Sequence, residues 1–235
     1  MAICHGSNPE TGEIGHFYEQ DGKMYPSVTT ILTAETPAEK KAGLARWRAK
    51  NPDWVAIVKK SQVVGTVGHF RVLNSLVDET IELPDIPYSE YPPDLCDLVD
   101  IIAYQWEQSG FEKEVGYPRI VESTLISDRY GFAGKADLRC PLIDELGNSQ
   151  LAIVDLKTSP VVHDSYGLQL AAYGLMMEES PEHAQFPDVG VIVNLCPYPE
   201  KNPSLEARVT KFKKEVLLDY AEEFIAMAEH YHSQL

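Results

Sequence analysis

The run Leu151-Ala152-Ile153-Val154-Asp155-Leu156-Lys157-Thr158 sets the tightest constraint on what this chain can become. It has the length and β-branched content of a buried strand, yet it carries an acid and a base two positions apart. Side chains alternate between the two faces of a strand, so Asp155 and Lys157 share one face and Leu156 takes the other. Burying a charge is costly unless it is paired or bound to a metal. Either the two form an ion pair inside a core, or that face is a site.

The neighbouring elements bear on the choice. Three strand candidates follow one another at 112–128, 131–142 and 150–158, with polar turns at 128–131 and 144–148 between them. A helix is expected over 163–180, then strands over 188–197 and 206–212 and a helix over 214–235. Upstream, Asp21-Gly22 marks a hairpin within 15–26, Ser27 is placed to cap a short helical turn, and Pro37 takes the first position of a helix over 36–50. Asn51-Pro52-Asp53 starts a second helix, with apolar residues recurring at Trp54, Val55, Val58, Val67, Phe70 and Leu73. A proline-rich connector at 84–93 precedes a third helix at 94–109, whose inner side is Leu95, Leu98, Ile101, Ile102 and Trp106. The expectation is an N-terminal hairpin and helical region, 1–110, and an α/β core, 111–235, together one compact domain.

If the three central strands form a meander, Asp137 lies beside Asp155 and Lys157, because strands about 4.8 Å apart gather same-face side chains into one cluster. Two carboxylates held that closely repel, so one takes a proton or a cation stabilises both. Oxygen ligands suit Mg²⁺ or Mn²⁺ better than zinc. Glu122, on the first strand candidate, can add a third carboxylate, and Gly131 and Gly134 flank this face and leave room for a substrate backbone. Lys157 can stabilise a hydroxide nucleophile or the charge that develops on a phosphate. A core ion pair accounts for Asp155 with Lys157. It does not account for Asp137 and Glu122 arriving at neighbouring positions.

Charge narrows the partners. The formal net charge of −16 is wrong for a chain that binds nucleic acid over its whole surface, since phosphate affinity comes largely from Lys and Arg. Its distribution says more. Residues 36–60 carry Lys40, Lys41, Arg46, Arg48, Lys50, Lys59 and Lys60 against Glu39 and Asp53, with Trp47 and Trp54 interleaved. Such a stretch is either a local track for a single strand or a solvated helix face whose tryptophans lie in the core. Cys4, Cys96, Cys140 and Cys196 form no C-x-x-C pair, which argues against a zinc ribbon or a locally spaced iron–sulfur motif. Cys4, His5 and His16 have metal-ligand chemistry but no motif spacing. No apolar run approaches the length of a membrane span, and the N-terminus lacks signal-peptide features, so the expected location is the cytoplasm.

Asp137 followed by Asp155-Leu156-Lys157 across a strand meander resembles the PD-(D/E)XK nuclease signature. More narrowly, the chain resembles the RecB-type branch, which includes lambda-type exonucleases. "GTVGH" (65–69) is similar to that branch's upstream histidine motif, "GFAGKADL" to the strand bearing the first metal aspartate, "IVDLKTS" to the D-x-K strand and "QLAAY" (169–173) to the Q-x-x-x-Y of the next helix. "YPSVTTIL" is similar to the start of many viral and phage members. The resemblance covers most of 25–180 and implies an αβββαβ core, a mixed central sheet flanked by helices, with an N-terminal helical embellishment.

The resemblance also implies roles. Asp137 would bridge or ligate a metal ion, and Asp155 with the Leu156 carbonyl would complete the main site for one or two Mg²⁺ or Mn²⁺ ions. Lys157 would orient the attacking water. His69 would ligate or position a second ion, Glu122 would contribute directly or through water, and Gln169 and Tyr173 would hold Lys157 or a substrate phosphate. The iron–sulfur cysteine set of some members is missing, so that cluster should be absent. The implied activity is metal-dependent hydrolysis of DNA, exonucleolytic on ends or single strands, in recombination, replication or repair. An endonuclease on flapped or branched DNA is the alternative of the same chemistry, and a catalytically silent DNA-binding module of the same fold the alternative of another class.

Overall fold

A computed structural model describes residues 3–8, 14–182 and 184–234. The chain begins with a three-stranded antiparallel sheet, β1 (Ile3–Ser7), β2 (Ile14–Gln20) and β3 (Lys23–Pro26), in that order. Asp21 and Gly22 join β2 to β3 with φ of 52° and 78°. Two successive left-handed residues suit the right-handed twist of a hairpin. Ser27 then caps α1 (Val28–Ala34), its hydroxyl accepting from the Thr30 N–H at 3.0 Å.

Three longer helices follow: α2 (Ala38–Lys50), α3 (Trp54–Leu73) and α4 (Leu95–Ser109). Pro37 stands just outside α2, with ψ of 145°, and its carbonyl accepts the Lys41 N–H. Gly110, at φ 68°, closes α4 in the left-handed conformation that glycine adopts without penalty.

The second half is mixed α/β. A five-stranded sheet runs β4 (Ile120–Ser127), β5 (Phe132–Ile143), β6 (Ser149–Lys157), β7 (Val189–Asn194), β8 (Arg208–Lys213), in that spatial order. Only β6 and β7 are parallel, and the crossover they require carries α5 (Ser165–Glu179). Helix α6 (Lys214–Ser233) follows β8.

Helices cover both faces. On one, α3 and α4 pack Val72, Leu73, Leu98, Ile102 and Trp106 onto Leu138, Cys140, Val154, Leu156 and Val191. On the other, α1, α5 and α6 pack Ile31, Leu170, Met176 and Phe224 onto Phe132, Ala136, Ile153 and Ile192. Among the described residues, no helix is long and apolar enough to cross a membrane.

Three expectations change. The strand expected from residue 112 starts at Ile120. Phe111 instead buries its ring edge-on against Trp106 in a short 3₁₀ turn, and Pro118 has no N–H to give a ladder. In α3 the apolar period continues through Val55 and Val58, but both are exposed, on a stretch whose neighbours are the paired residues Glu90 and Asp94 rather than a core layer. Helix α2 buries no residue and Trp47 is 37% exposed, so of the two readings of 36–60 the one that puts both tryptophans in the core falls.

Candidate active site

The site begins with an irregularity in the sheet. Residues two apart on a strand share a face, yet Ala136 packs with the α5 layer and Leu138 with the α3–α4 layer. The same change of face occurs on β4 between Leu125 and Val121. Both strands therefore turn over at one level, where the register places Glu122 opposite Asp137. Glu122 has φ of 50°, a left-handed conformation that costs energy for any residue with a Cβ.

Beyond this level β5 leaves β6. Their pairing runs from Ile143–Ser149 to Leu138–Val154 and stops. Asp137 fills the opening with its side chain: Oδ2 accepts the Leu156 N–H at 2.7 Å. The N–H and C=O of one strand residue point to the same edge, so the Leu156 carbonyl faces the same gap. The Leu156 side chain lies in the α3–α4 core, away from Asp155 and Lys157.

Lys157 and Asp155 face α5. Lys157 Nζ is 2.6 Å from Asp155 Oδ2 and donates to Gln169 Oε1 at 2.9 Å; Gln169 Nε2 in turn donates to the Tyr173 hydroxyl at 2.7 Å. The lysine approaches Asp155 Oδ2 off the direction of a hydrogen bond, which leaves that buried oxygen without a hydrogen-bond donor. His69, in the last turns of α3, places Nδ1 3.6 Å from Asp137 Oδ2. Glu122 is paired with Lys135.

Asp137, Asp155, Lys157 and His69 are 3–22% exposed, and burial is the largest single influence on the protonation of each. It pushes Asp137 up to about 6, against Lys157 and the Leu156 N–H, which favour the carboxylate. It pushes Asp155 up to about 6, with Lys157 opposing and the Asp137 charge adding to the rise. His69 is pushed down to about 4 by burial and then by Lys157, so its imidazole is neutral at pH 7 and Asp137 has no cation in it. Burial pulls Lys157 down, but Asp155 and Asp137 more than compensate and hold it above its ordinary value. The Tyr173 hydroxyl, raised well above its ordinary value by burial, stays protonated.

No family model matches this chain. None of the curated proteins matches it either.

The donors themselves decide whether a divalent cation suits the site. Among the described residues, no three His, Cys, Asp or Glu side chains converge to hold a metal. Two buried carboxylates, an oxygen without a donor and a backbone carbonyl on the same edge are nevertheless oxygen donors fitted to Mg²⁺ or Mn²⁺. Such an ion is commonly held by one or two carboxylates, with solvent and substrate phosphate completing the shell. Asp137, Asp155 and the Leu156 carbonyl would hold it.

Other expected residues stand apart. Lys59 is paired with Glu90 at 2.9 Å and Lys60 with Asp94 at 2.6 Å, so neither is a free cation. Lys41 donates to the Ala34 carbonyl, and Lys40 lies 3.8 Å from Asp164, the residue just before α5. Arg48 stacks on the Trp54 ring at 4.5 Å. Arg46 and Lys50 form no ion pair among the described residues. Gly134 is no opening for substrate: a Cβ there would meet the Tyr173 ring at 2.7 Å. Gly131 turns the β4–β5 hairpin at φ 71°, against His232. The side chains of Cys4 and His5 lie outside the described residues.

Sequence reasoning missed Lys135, Tyr166 and Asn194. Lys135 stands two residues before Asp137, and Tyr166 three before Gln169, spacings that were open to inspection. Asn194 donates to the Lys157 and Ser159 carbonyls, and it sits opposite Lys157 only because β7 runs parallel to β6.

Proposed function

We propose that this protein is a metal-dependent nuclease that hydrolyses phosphodiester bonds in DNA, acting on ends or single strands, with a PD-(D/E)XK-type core. One observation carries the reading. Asp137, Asp155 and Lys157 meet where β5 and β6 part, with an uncompensated carboxylate charge left between them.

A bound Mg²⁺ or Mn²⁺ supplies Lewis-acid stabilisation of the charge that grows on a phosphoryl oxygen. The chain's own groups do the rest. Asp137 and Asp155 bind the cation, and Asp137 also fixes the Leu156 peptide through its N–H. Lys157 offers an ammonium hydrogen to the attacking water or to the phosphate. Gln169 aims that ammonium: the donor-only lysine takes the amide oxygen, and the amide nitrogen donates to the Tyr173 hydroxyl. His69, neutral at pH 7, would offer a nitrogen lone pair to a second ion, and Glu122, now paired with Lys135, would be the further carboxylate within reach of it.

Helix α2 would supply attraction. Arg46, Arg48 and Lys50 lie on an exposed helix beside Trp47, and Lys40 reaches toward the start of α5. The acidic remainder of the chain would keep nucleic acid off other surfaces.

The test is a time course on DNA labelled separately at its 5′ and 3′ ends, single- and double-stranded, with Mg²⁺ or Mn²⁺ and with Lys157→Ala alongside. Metal-dependent cleavage lost in the variant is expected, and the label released first sets the polarity. Internal cuts would point to an endonuclease. A folded protein that binds DNA and cuts none of it would instead be a silent binding module.

A further inference from the structure

The Lys157 ammonium donates one hydrogen to Gln169 and faces Asp155 Oδ2 at 2.6 Å as an ion pair. A further flank faces the ring of Tyr166, whose centroid is 4.9 Å from Nζ. Tyr166 belongs to the first turn of α5, three residues before Gln169, so both project from one side of the helix. The face of an aromatic ring attracts an ammonium, more so where water is scarce.

The ring is held from behind. Its hydroxyl is 2.8 Å from Ser159 Oγ, and Ser159 gives its single hydroxyl hydrogen to the Val161 carbonyl at 2.7 Å. The phenol is therefore the donor to Ser159. Asn194 Nδ2 fixes the Ser159 carbonyl at 2.9 Å, and the His163 ring packs edge-on against Tyr166 at 5.3 Å. A tyrosine outside the recognised motif is thus braced against the one lysine the chemistry needs.

We propose that Tyr166 is a positioning residue whose ring face sets the direction of the Lys157 ammonium. The proposal rests on the nuclease reading for its kinetic consequence, though not for the contact itself. Lysine has a four-carbon stem, and Asp155 and Gln169 alone leave it free to swing outward on the Tyr166 side. The ring closes that side and keeps the ammonium between Asp155 and Gln169, with a hydrogen left for the attacking water or the phosphate.

Three variants separate the ring from the hydroxyl. Tyr166→Phe keeps the ring and drops the bond to Ser159; Ser159→Ala drops the same bond from the other side; Tyr166→Leu keeps bulk without a π face. For a labelled single strand in Mg²⁺, Tyr166→Phe and Ser159→Ala should stay within about twofold of the parent in kcat. Tyr166→Leu should lose about tenfold at unchanged KM, the rate equivalent of a partly desolvated cation–π contact.

A second readout needs no activity. In protein carrying ¹³C-labelled lysine, the Lys157 ε-methylene protons should show an upfield ring-current shift in the parent, in Tyr166→Phe and in Ser159→Ala. Tyr166→Leu should abolish it. Equal losses of kcat in Phe and Leu would assign the effect to the Ser159 bond and overturn the proposal, as would a Lys157 resonance indifferent to all three changes. A parent that cuts nothing, with a Lys157 shift that still follows the ring, would remove the nuclease reading and leave the contact standing.

Discussion

Asp137, Glu122 and Leu156 show how single residues build this site. Asp137 occupies a ladder position with its side chain, and Glu122 accepts a left-handed backbone opposite it. Strain and a broken ladder at one level are costs that persist only where the surrounding packing over-determines them. Leu156 is part of that packing. It is 1% exposed in the α3–α4 layer while its neighbours face the site. Leu156→Ala should lower stability by about 2–5 kcal/mol, read from urea unfolding, because it leaves a cavity in a core. Cleavage per folded molecule should fall far less than in Lys157→Ala. A Leu156→Ala protein as stable as the parent would mean that the strand does not bury this side chain.

At the scale of elements, α2 is the outlier. It has 13 residues, none buried, and an isolated helix of about that length is marginal in water. Its sequence makes sense as a surface for a polyanion. Arg46→Gln, Arg48→Gln and Lys50→Gln together should lower the melting temperature only slightly, through loss of the Arg48–Trp54 contact. They should weaken single-strand binding and flatten its log–log salt dependence by about 2, since each phosphate neutralised on a single strand contributes about 0.7. An unaltered salt slope would remove α2 from the binding surface.

The elements were largely legible in sequence. Local signals suffice for Ser27 as a cap, Asp21-Gly22 as a turn, and the apolar periods of α4, β6 and β7. What lay hidden depends on partners that come from elsewhere in the chain. Val55 read as a core residue by period, and Trp47 stood between a core side chain and a surface track, but neither is buried. The joint turnover of β4 and β5, the Tyr173 ring filling the space at Gly134 and the alignment of Asn194 with Lys157 all arise from tertiary pairing. The acid–base pair announced the site because its chemistry is written into one strand. The brace behind it is spread over β7, α5 and the loop that joins β6 to α5.

Across the whole molecule, the site sets a conflict between stability and binding. Asp137 and Asp155 are raised from 3.8 to about 6 by burial. Their contribution to stability is therefore fully present below about pH 4 and lost as pH rises through about 6. His69, lowered from 6.5 to about 4, works in the opposite sense: its contribution is present above 6.5 and lost as pH falls toward 4. Above pH 6.5 the histidine no longer opposes the carboxylates, and the metal-free protein carries two buried negative charges against Lys157. A divalent cation should relieve that charge, so the Mg²⁺-induced rise in melting temperature should be larger at pH 7.5 than at pH 5. Asp137→Asn isolates the effect, since its amide oxygen can still accept the Leu156 N–H. Without metal, that variant should melt above the parent at pH 7.5 and level with it near pH 4.5, where the parent's aspartate is already neutral. It should also lose both the Mg²⁺ shift and cleavage. If Asp137→Asn melts below the parent at pH 7.5, the carboxylate is a stabilising partner in the fold, and the site is better read as the buried ion pair that the sequence first offered.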